Sequence, residues 1–518
     1  MMLDPHNLPE ALNLAEVFLH RQARERPDAP AIFFEGETHS YAQLADATNR
    51  AAALYLGLGL ELEQRVLLML PDVPQFAAAW LGAVQAGGVV SAASPGLKVD
   101  EVRYYLDYCR PKVLVTDAET ARVVGAVRGE APWLKHVLVV GGNAGAHLDF
   151  DGELARARPT GSLAPTHRDD ACAWLYTSGS TGFPKGAVHK QHDFVFNALT
   201  YALPVVGYRP SDVCISVPRL AFGYALGSNL LFPLMAGGSV VLFKDAPTPP
   251  RVFELMARHR PTVLTAVPTA LNSIVNHRAV GEVDFSSMRV AISAGEALPA
   301  ELYQRWKART GVEILDGIGS AELFHIFISN HFGAVRPGSQ GTVVQGYEAK
   351  VCDDEGREVA HGEVGTLWVR GDSMALEYWR HHELSKATFR GDWCVLADKF
   401  RRDDEGYFYF CGRGDDMLKV AGRWLSPVEV ENTLLQHPAV REAAVVAFKD
   451  SDGLDKPRAF VALREGEARS DTLADALKAT VRETLASFKV PRSIVFVDAL
   501  PRNERGKVMK AQLRAERP

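Results

Sequence analysis

The sequence predicts an α/β protein: a large N-terminal domain of two parallel α/β subdomains plus a small antiparallel β subdomain, then a small α+β C-terminal domain. Three observations carry this. Short valine-rich runs alternate with helix-period stretches through most of the chain, the pattern of parallel sheets covered on both faces. The period changes to short alternating runs over residues 341–371, joined by an acidic turn at 353–356, which predicts antiparallel β. Past Arg413 a separate set of apolar elements begins, enough for a small domain of its own. The domains are therefore 1–413 and 414–518.

Residues 1–50 read as a helix, a short hairpin and a second helix starting near Ser40 and Tyr41. Residues 66–70 read as a strand. Residues 74–86 read as a helix with Phe76, Trp80 and Val84 on one face, stopped by Gly87 and Gly88. A strand at 89–92, a helix at 99–109 and a strand at 112–117 follow. An apolar run at 171–176 then enters a Gly/Ser-rich stretch, and helix-compatible residues 192–202 leave it. The second alternation has strands at 213–217, 239–243, 262–266, 289–293 and 312–315, with helices at 250–258 and 299–309 among them. Residues 221–243 carry no charge and are long enough to span a bilayer, but Asn229, Pro233 and the Gly237, Gly238 pair favour a buried helix, a turn and a strand. In the last domain Ser426, Pro427 and Glu429 form a capping box for a helix to about 436. Strands at 442–448 and 458–463, a helix carrying Leu473, Leu477, Val481 and Leu485, a strand at 494–497 and a polar tail complete it.

Composition excludes several classes. A net charge of −6 gives no basic face for nucleic acid. Cys109, Cys172, Cys214, Cys352, Cys394 and Cys411 are scattered without a CxxC pair, and read as buried thiols. The first residues are partly acidic and lack an apolar signal core, so a cytoplasmic protein is expected.

The stretch YTSGSTGFPKG (176–186) holds three glycines, hydroxyl side chains and Lys185. Glycines bring backbone N–H groups close to a ligand, hydroxyls add donors and the lysine adds charge, which is a phosphate cradle in composition. The spacing is not that of a Walker A loop. A flexible surface loop has the same composition, so other motifs must decide. SAGEALP (293–299) and DGIGSAE (316–322) are both expected just after strands, where ligands gather in such folds.

In order along nearly the whole chain, these motifs resemble those of the adenylate-forming enzymes, and most of all the benzoate-CoA ligase group. The resemblance implies an aryl-CoA ligase that uses ATP, Mg²⁺ and coenzyme A. It implies that Thr177, Ser178, Gly179, Ser180, Thr181 and Gly182 hold phosphates with Lys185. Gly295, Glu296, Asp316 and Gly317 would contact the nucleotide, and Asp398 with Arg413 the ribose. Glu322 would hold Mg²⁺, and Lys507 would bridge the carboxylate and the α-phosphate. Asp415 would be a hinge about which the small domain turns, bringing Lys419 and Gly422 to the site for the thiol step. The acid pocket would be lined by Ala221, Phe222, Tyr224, Ile318, Gly319 and His325, where the aromatics offer flat walls to a planar ring. The acid loop has no acidic residue, so an α-amino group is not an expected ligand feature.

Three positions depart from the family pattern. Ala321 replaces a threonine, with Ser320 able to compensate; Ala397 replaces a glycine; and Ala221 is small where an aromatic is usual. The last leaves room for an ortho substituent such as that of 2-aminobenzoate. The expected partners are an aryl carboxylic acid and CoA, with no membrane and with a homodimer as the assembly. A freestanding enzyme loading a carrier protein, a medium-chain acyl-CoA ligase and a non-catalytic nucleotide-binding regulator are the alternatives.

Overall fold

Alternate residues of single strands build different cores, which is how the parallel sheets declare themselves. The computed structural model describes residues 3–142, 144–178, 183–413, 417–420, 423–449, 455–502 and 508–515. In the strand Arg65–Met69, Val66 and Leu68 enter one core, while Leu67 and Met69 enter another. The first core is shared with the second sheet, through Val240, Val263 and Val290.

The first sheet has seven strands in the order Leu148–Asp149, His136–Val140, Val113–Asp117, Arg65–Met69, Val89–Ala92, Ala171–Ser178 and Pro184–Lys190. All pairs are parallel except the last. The second has nine, in the order Thr342–Val343, Ile326–Ser329, Ile314–Gly319, Val290–Ser293, Val263–Ala266, Val213–Ser216, Ser239–Leu242, Pro30–Phe34 and Glu37–Ser40. It is parallel from Ile314–Gly319 to Pro30–Phe34 and antiparallel beyond both. An antiparallel sheet follows, built on Glu348–Cys352, Gly365–Arg370, Trp393–Arg402 and Phe408–Arg413. The small domain has the sheet Val440–Lys449, Asp455–Leu463 and Ser493–Val497, with the helices Pro427–Leu435 and Asp471–Thr484.

Most expected elements are present within a residue or two. The second helix is Tyr41–Gly57, with Ser40 and Gln43 forming a reciprocal cap. All six cysteines are free and buried. Residues 221–243 break into Gly223–Leu226, Gly227–Leu231, Phe232–Ala236 and the strand Ser239–Leu242. Among the described residues no helix is long and apolar enough to cross a membrane.

Two expectations need correction. The Gly/Ser stretch does not pass from a strand straight into a helix: Pro184–Lys190 is a strand that folds back on Ala171–Ser178 before the helix Gln191–Asn197 begins. DGIGSAE does not simply follow a strand, because Ile314–Gly319 runs through its glycines. There Ile326–Ser329 packs so closely that a Cβ at Gly317 would lie 2.7 Å from the Ile328 carbonyl oxygen, and one at Gly319 2.5 Å from that of His325. Glycine is the residue that lets these backbones approach.

Candidate active site

The phosphate stretch is the turn of a hairpin. Thr177 pairs with Lys185 and Ser178 with Pro184; Gly179, Ser180, Thr181 and Gly182 lie outside the described residues. The returning strand is braced on two sides. Tyr104, on the helix Val99–Cys109, stacks on exposed Phe183 at 4.5 Å. Tyr108 accepts from the Gly186 N–H at 3.1 Å and donates to the Trp379 carbonyl at 2.6 Å. On its other edge, Leu376 and Trp379 donate to the Val188 and Gly186 carbonyls, at 2.8 and 2.9 Å.

That edge places Tyr378 between Lys185 and Glu322. The Lys185 Nζ lies 5.0 Å from the Tyr378 ring centroid, and the Tyr378 hydroxyl donates to Glu322 Oε1. Burial, then the Glu322 charge, holds the Tyr378 phenol far above its usual range, so it stays a donor. Glu322 is 7% exposed. A buried carboxylate whose Oε1 is fixed by the Tyr378 hydroxyl suits a hard cation completed by water and phosphate oxygens. Glu322 is thus fit to hold Mg²⁺.

A second tie reaches the same turn. His189 is buried; its Nδ1 lies 2.9 Å from Asp193 Oδ2, and its Nε2 lies 2.7 Å from the Ala321 carbonyl oxygen. The ring thereby bridges the Asp193 carboxylate and the Ala321 carbonyl. Burial would raise the Asp193 carboxyl, but the His189 contact and the nearby His192 and Lys190 outweigh it and hold the group below its usual range. Ala321 thus contributes through its backbone, while the Ser320 hydroxyl is buried without a partner among the described residues. Phe324 has φ +68°, a left-handed backbone that costs energy in a non-glycine residue, here within the turn between Glu322 and His325.

On the nucleotide side, Asp398 pairs directly with Arg413 across two antiparallel strands, so the two expected ribose residues sit at one register position. Gly295 is exposed with φ +88°. The Glu296 carboxylate is engaged by Thr269, from its N–H at 3.2 Å and its hydroxyl at 2.8 Å. Asp316 is buried, and burial pushes its carboxyl up to about 8, mostly the neutral acid at pH 7. It meets Gln340 Nε2 at 3.2 Å, and Gln340 Oε1 accepts from the Phe410 N–H at 2.8 Å. That link joins the nine-stranded sheet to the strand that ends in Arg413.

The acid loop lies against both parallel sheets. Ala221, Phe222, Tyr224, Ile318 and Gly319 are half-buried. A Cβ at Gly223 would lie 3.1 Å from Leu175 of the first sheet and 3.3 Å from the Phe324 carbonyl oxygen. Tyr224 and His325 face each other at 5.4 Å, and His325 Nε2 donates to the Tyr224 carbonyl at 2.9 Å. Burial pushes His325 down to about 4, so the ring is neutral and Nδ1 is an acceptor. That Nδ1 is buried without a partner among the described residues. Asp72 fixes the loop's start: its Oδ1 accepts from the Leu220 N–H at 3.0 Å and its Oδ2 lies 3.8 Å from Arg219.

Lys507, Asp415 and Gly422 lie outside the described residues; Lys419 sits in a short hairpin, paired with Trp424. Sequence reasoning did not single out Tyr378, His189, Asp193 or Asp72. His189 stands four residues past Lys185, a usable signal only once the returning strand is known; for Tyr378 and Asp72 no local pattern exists.

Residues 19–379 match the family described as AMP-binding enzyme, and residues 429–507 match the AMP-binding enzyme C-terminal domain. A benzoate–CoA ligase of Thauera aromatica is 41% identical over 515 residues, which cover 98% of this chain and 97% of that protein. The crystal structure of an anthranilate CoA ligase in complex with anthranoyl-AMP is similar with a TM-score of 0.95 at 37% identity, covering 99% of this chain and 98% of that one. A benzoate CoA ligase from Burkholderia xenovorans LB400 gives a TM-score of 0.89 at 38% identity, covering 97% and 99%.

Proposed function

The chain belongs to the AMP-binding enzyme family, and from that premise we propose that it is an ATP-dependent aryl-CoA ligase acting on benzoate or a ring-substituted benzoate. The observation that carries the reading is the convergence of Lys185, Tyr378 and Glu322 beside a loop bearing Phe222 and Tyr224. ATP and CoA are its co-substrates, and Mg²⁺ when bound at Glu322 offsets charge on the phosphate oxygens. One carboxylate oxygen of the acid attacks the α-phosphorus, the bond to the β-phosphate breaks, and pyrophosphate leaves. Two anions must meet, so fixed positive charge near the new bond dominates catalysis. Lys185 and the hairpin donors hold the departing phosphates, and Lys507 bridges carboxylate and α-phosphate. The CoA thiol then loses its proton and attacks the adenylate carbonyl, and AMP leaves. Lys507 would obstruct the thiol's path, so the small domain turns at Asp415 between the steps and brings Lys419 and Gly422 forward.

His325 narrows the acid. Its Nδ1, buried without a partner among the described residues, would take a donor from the acid, so a ring bearing N–H or O–H, such as 2-aminobenzoate or a hydroxybenzoate, is the preferred substrate. The protein is read as cytoplasmic and homodimeric, the latter checked by sedimentation.

ATP–pyrophosphate exchange across benzoate, 2-aminobenzoate, hydroxybenzoates, cinnamate and medium-chain fatty acids, followed by CoA, tests the function. Exchange with an aryl acid and then thioester is the expected result. Exchange without thioester would move the reading to carrier-protein loading, and exchange only with fatty acids would overturn the pocket.

A further inference from the structure

We propose that Arg502 is a positioning residue for the adenylate-forming half-reaction, docking the segment that leads into Lys507 onto the nucleotide side of the large domain through Thr269 and Glu296. The inference rests on the ligase reading above.

Arg502 and Val508 form an antiparallel bridge, and the Met509 N–H donates to the Pro501 carbonyl at 2.8 Å. The chain therefore leaves for residues 503–507 and returns at one clamped point. The Arg502 guanidinium reaches partners in both domains. Its Nη2 lies 3.3 Å from Glu442 Oε1, on the strand Val440–Lys449 of its own domain. Its Nη1 donates to Thr269 Oγ1 at 3.0 Å, at the start of the helix Pro268–Val275 in the large domain. The Thr269 hydroxyl proton is already committed to Glu296 Oε2. The lone pairs of Oγ1 are thus turned to Arg502 by the residue that follows Gly295, on the expected nucleotide side.

The arrangement joins Glu442, Arg502, Thr269 and Glu296 across the domain boundary. The Arg502 and Glu442 side chains are 27% and 21% exposed, so this is not an open surface pair of little worth. Glu442 holds the guanidinium in place within the small domain, so docking on Thr269 orders little further side-chain freedom. The Thr269 contact exists only while the small domain sits as it does here. If Lys507 must withdraw before the thiol attacks, that contact breaks as well. Arg502 should therefore serve the first half-reaction and be indifferent to the second.

The test uses the intact chain with Arg502→Ala, Thr269→Val, Thr269→Ser and the Arg502→Ala/Thr269→Val double variant. Exchange reports adenylation; benzoyl-AMP supplied with CoA reports thioester formation alone, and thermal melting checks the fold. Loss of one hydrogen bond from a charged donor should lower exchange about tenfold in Arg502→Ala and Thr269→Val. Thr269→Ser should recover it, the double variant should be no slower than Arg502→Ala, and thioester formation should stay near the wild-type rate. Equal losses in both half-reactions, unchanged exchange, or a Thr269→Ser variant as slow as Thr269→Val would overturn the role. Wild-type protein without exchange on any aryl acid would instead overturn the ligase reading, and this inference with it.

Discussion

The two parallel sheets reach the site by the same device and use it differently. In each, the parallel run gives way to a strand that reverses direction, Pro184–Lys190 on the first sheet and Ile326–Ser329 on the second. The first reversal is rich in Gly, Ser and Thr and ends at exposed Phe183. The second passes through Glu322 and His325, which are 7% and 2% exposed, and through strained Phe324. The first carries many hydroxyls and glycines in its sequence, the composition expected of a phosphate cradle. The other presents few side chains, among them Glu322 held by Tyr378 and His325 held by the Tyr224 carbonyl. His189 and Tyr378 join the returning strand Pro184–Lys190 and its edge to the second reversal.

Breaking the join should have the largest effect. His189→Leu leaves the Asp193 carboxylate buried beside an unbonded Ala321 carbonyl, an expected loss of about 3–5 kcal/mol read by chemical denaturation. Adding Asp193→Leu should restore much of it, since the stranded charge is then gone. A loss under about 1 kcal/mol would mean the two reversals stand independently.

Glu322→Gln attacks only the second reversal. The amide oxygen can still accept from Tyr378, so melting should be nearly unchanged. Exchange should fall about 100-fold or more for want of charge at the cation position. Exchange near the wild-type rate at saturating Mg²⁺ would remove Glu322 from the cation's ligands.

The smallest effect sharpens the comparison at the acid loop. Burial pushes Asp72 up to about 6 from 3.8, against the pull of Arg219 and the Leu220 N–H. A raised carboxyl means the folded state binds the proton more tightly. Its contribution is therefore fully present below the unfolded value and is lost as pH rises through about 6. Asp72→Asn keeps an acceptor for Leu220 and does not titrate. The stability of wild type relative to this variant should fall between about pH 4 and 6 and level off above. A difference that is flat across that window would mean Asp72 is not buried as described.

Much of the fold was legible because it is written in local periods. The strand Val89–Ala92 and the helix Val99–Cys109 stand where alternation and amphipathic spacing put them. The returning strand Pro184–Lys190 was not, since PKGAVHK starts with proline and carries charge at both ends. Its strand character comes from being paired on both sides, by Ala171–Ser178 and by residues 376–379. The glycines at 317 and 319 were expected just after a strand and not as strand positions, because what they admit is the backbone around Ile326–Ser329.

The sequence by itself determined the order of the chemistry-bearing residues, the two-domain division and the alternation that makes parallel sheets, all of which are local or additive along the chain. Tertiary structure alone decided which of those residues meet. Tyr378 reaches Glu322 across 56 positions, His189 reaches Ala321 across 132 and Arg502 reaches Thr269 across 233. No local pattern encodes such pairs. They exist because packing two sheets and a second domain brings distant backbone together, and buried donors then take the acceptors within reach.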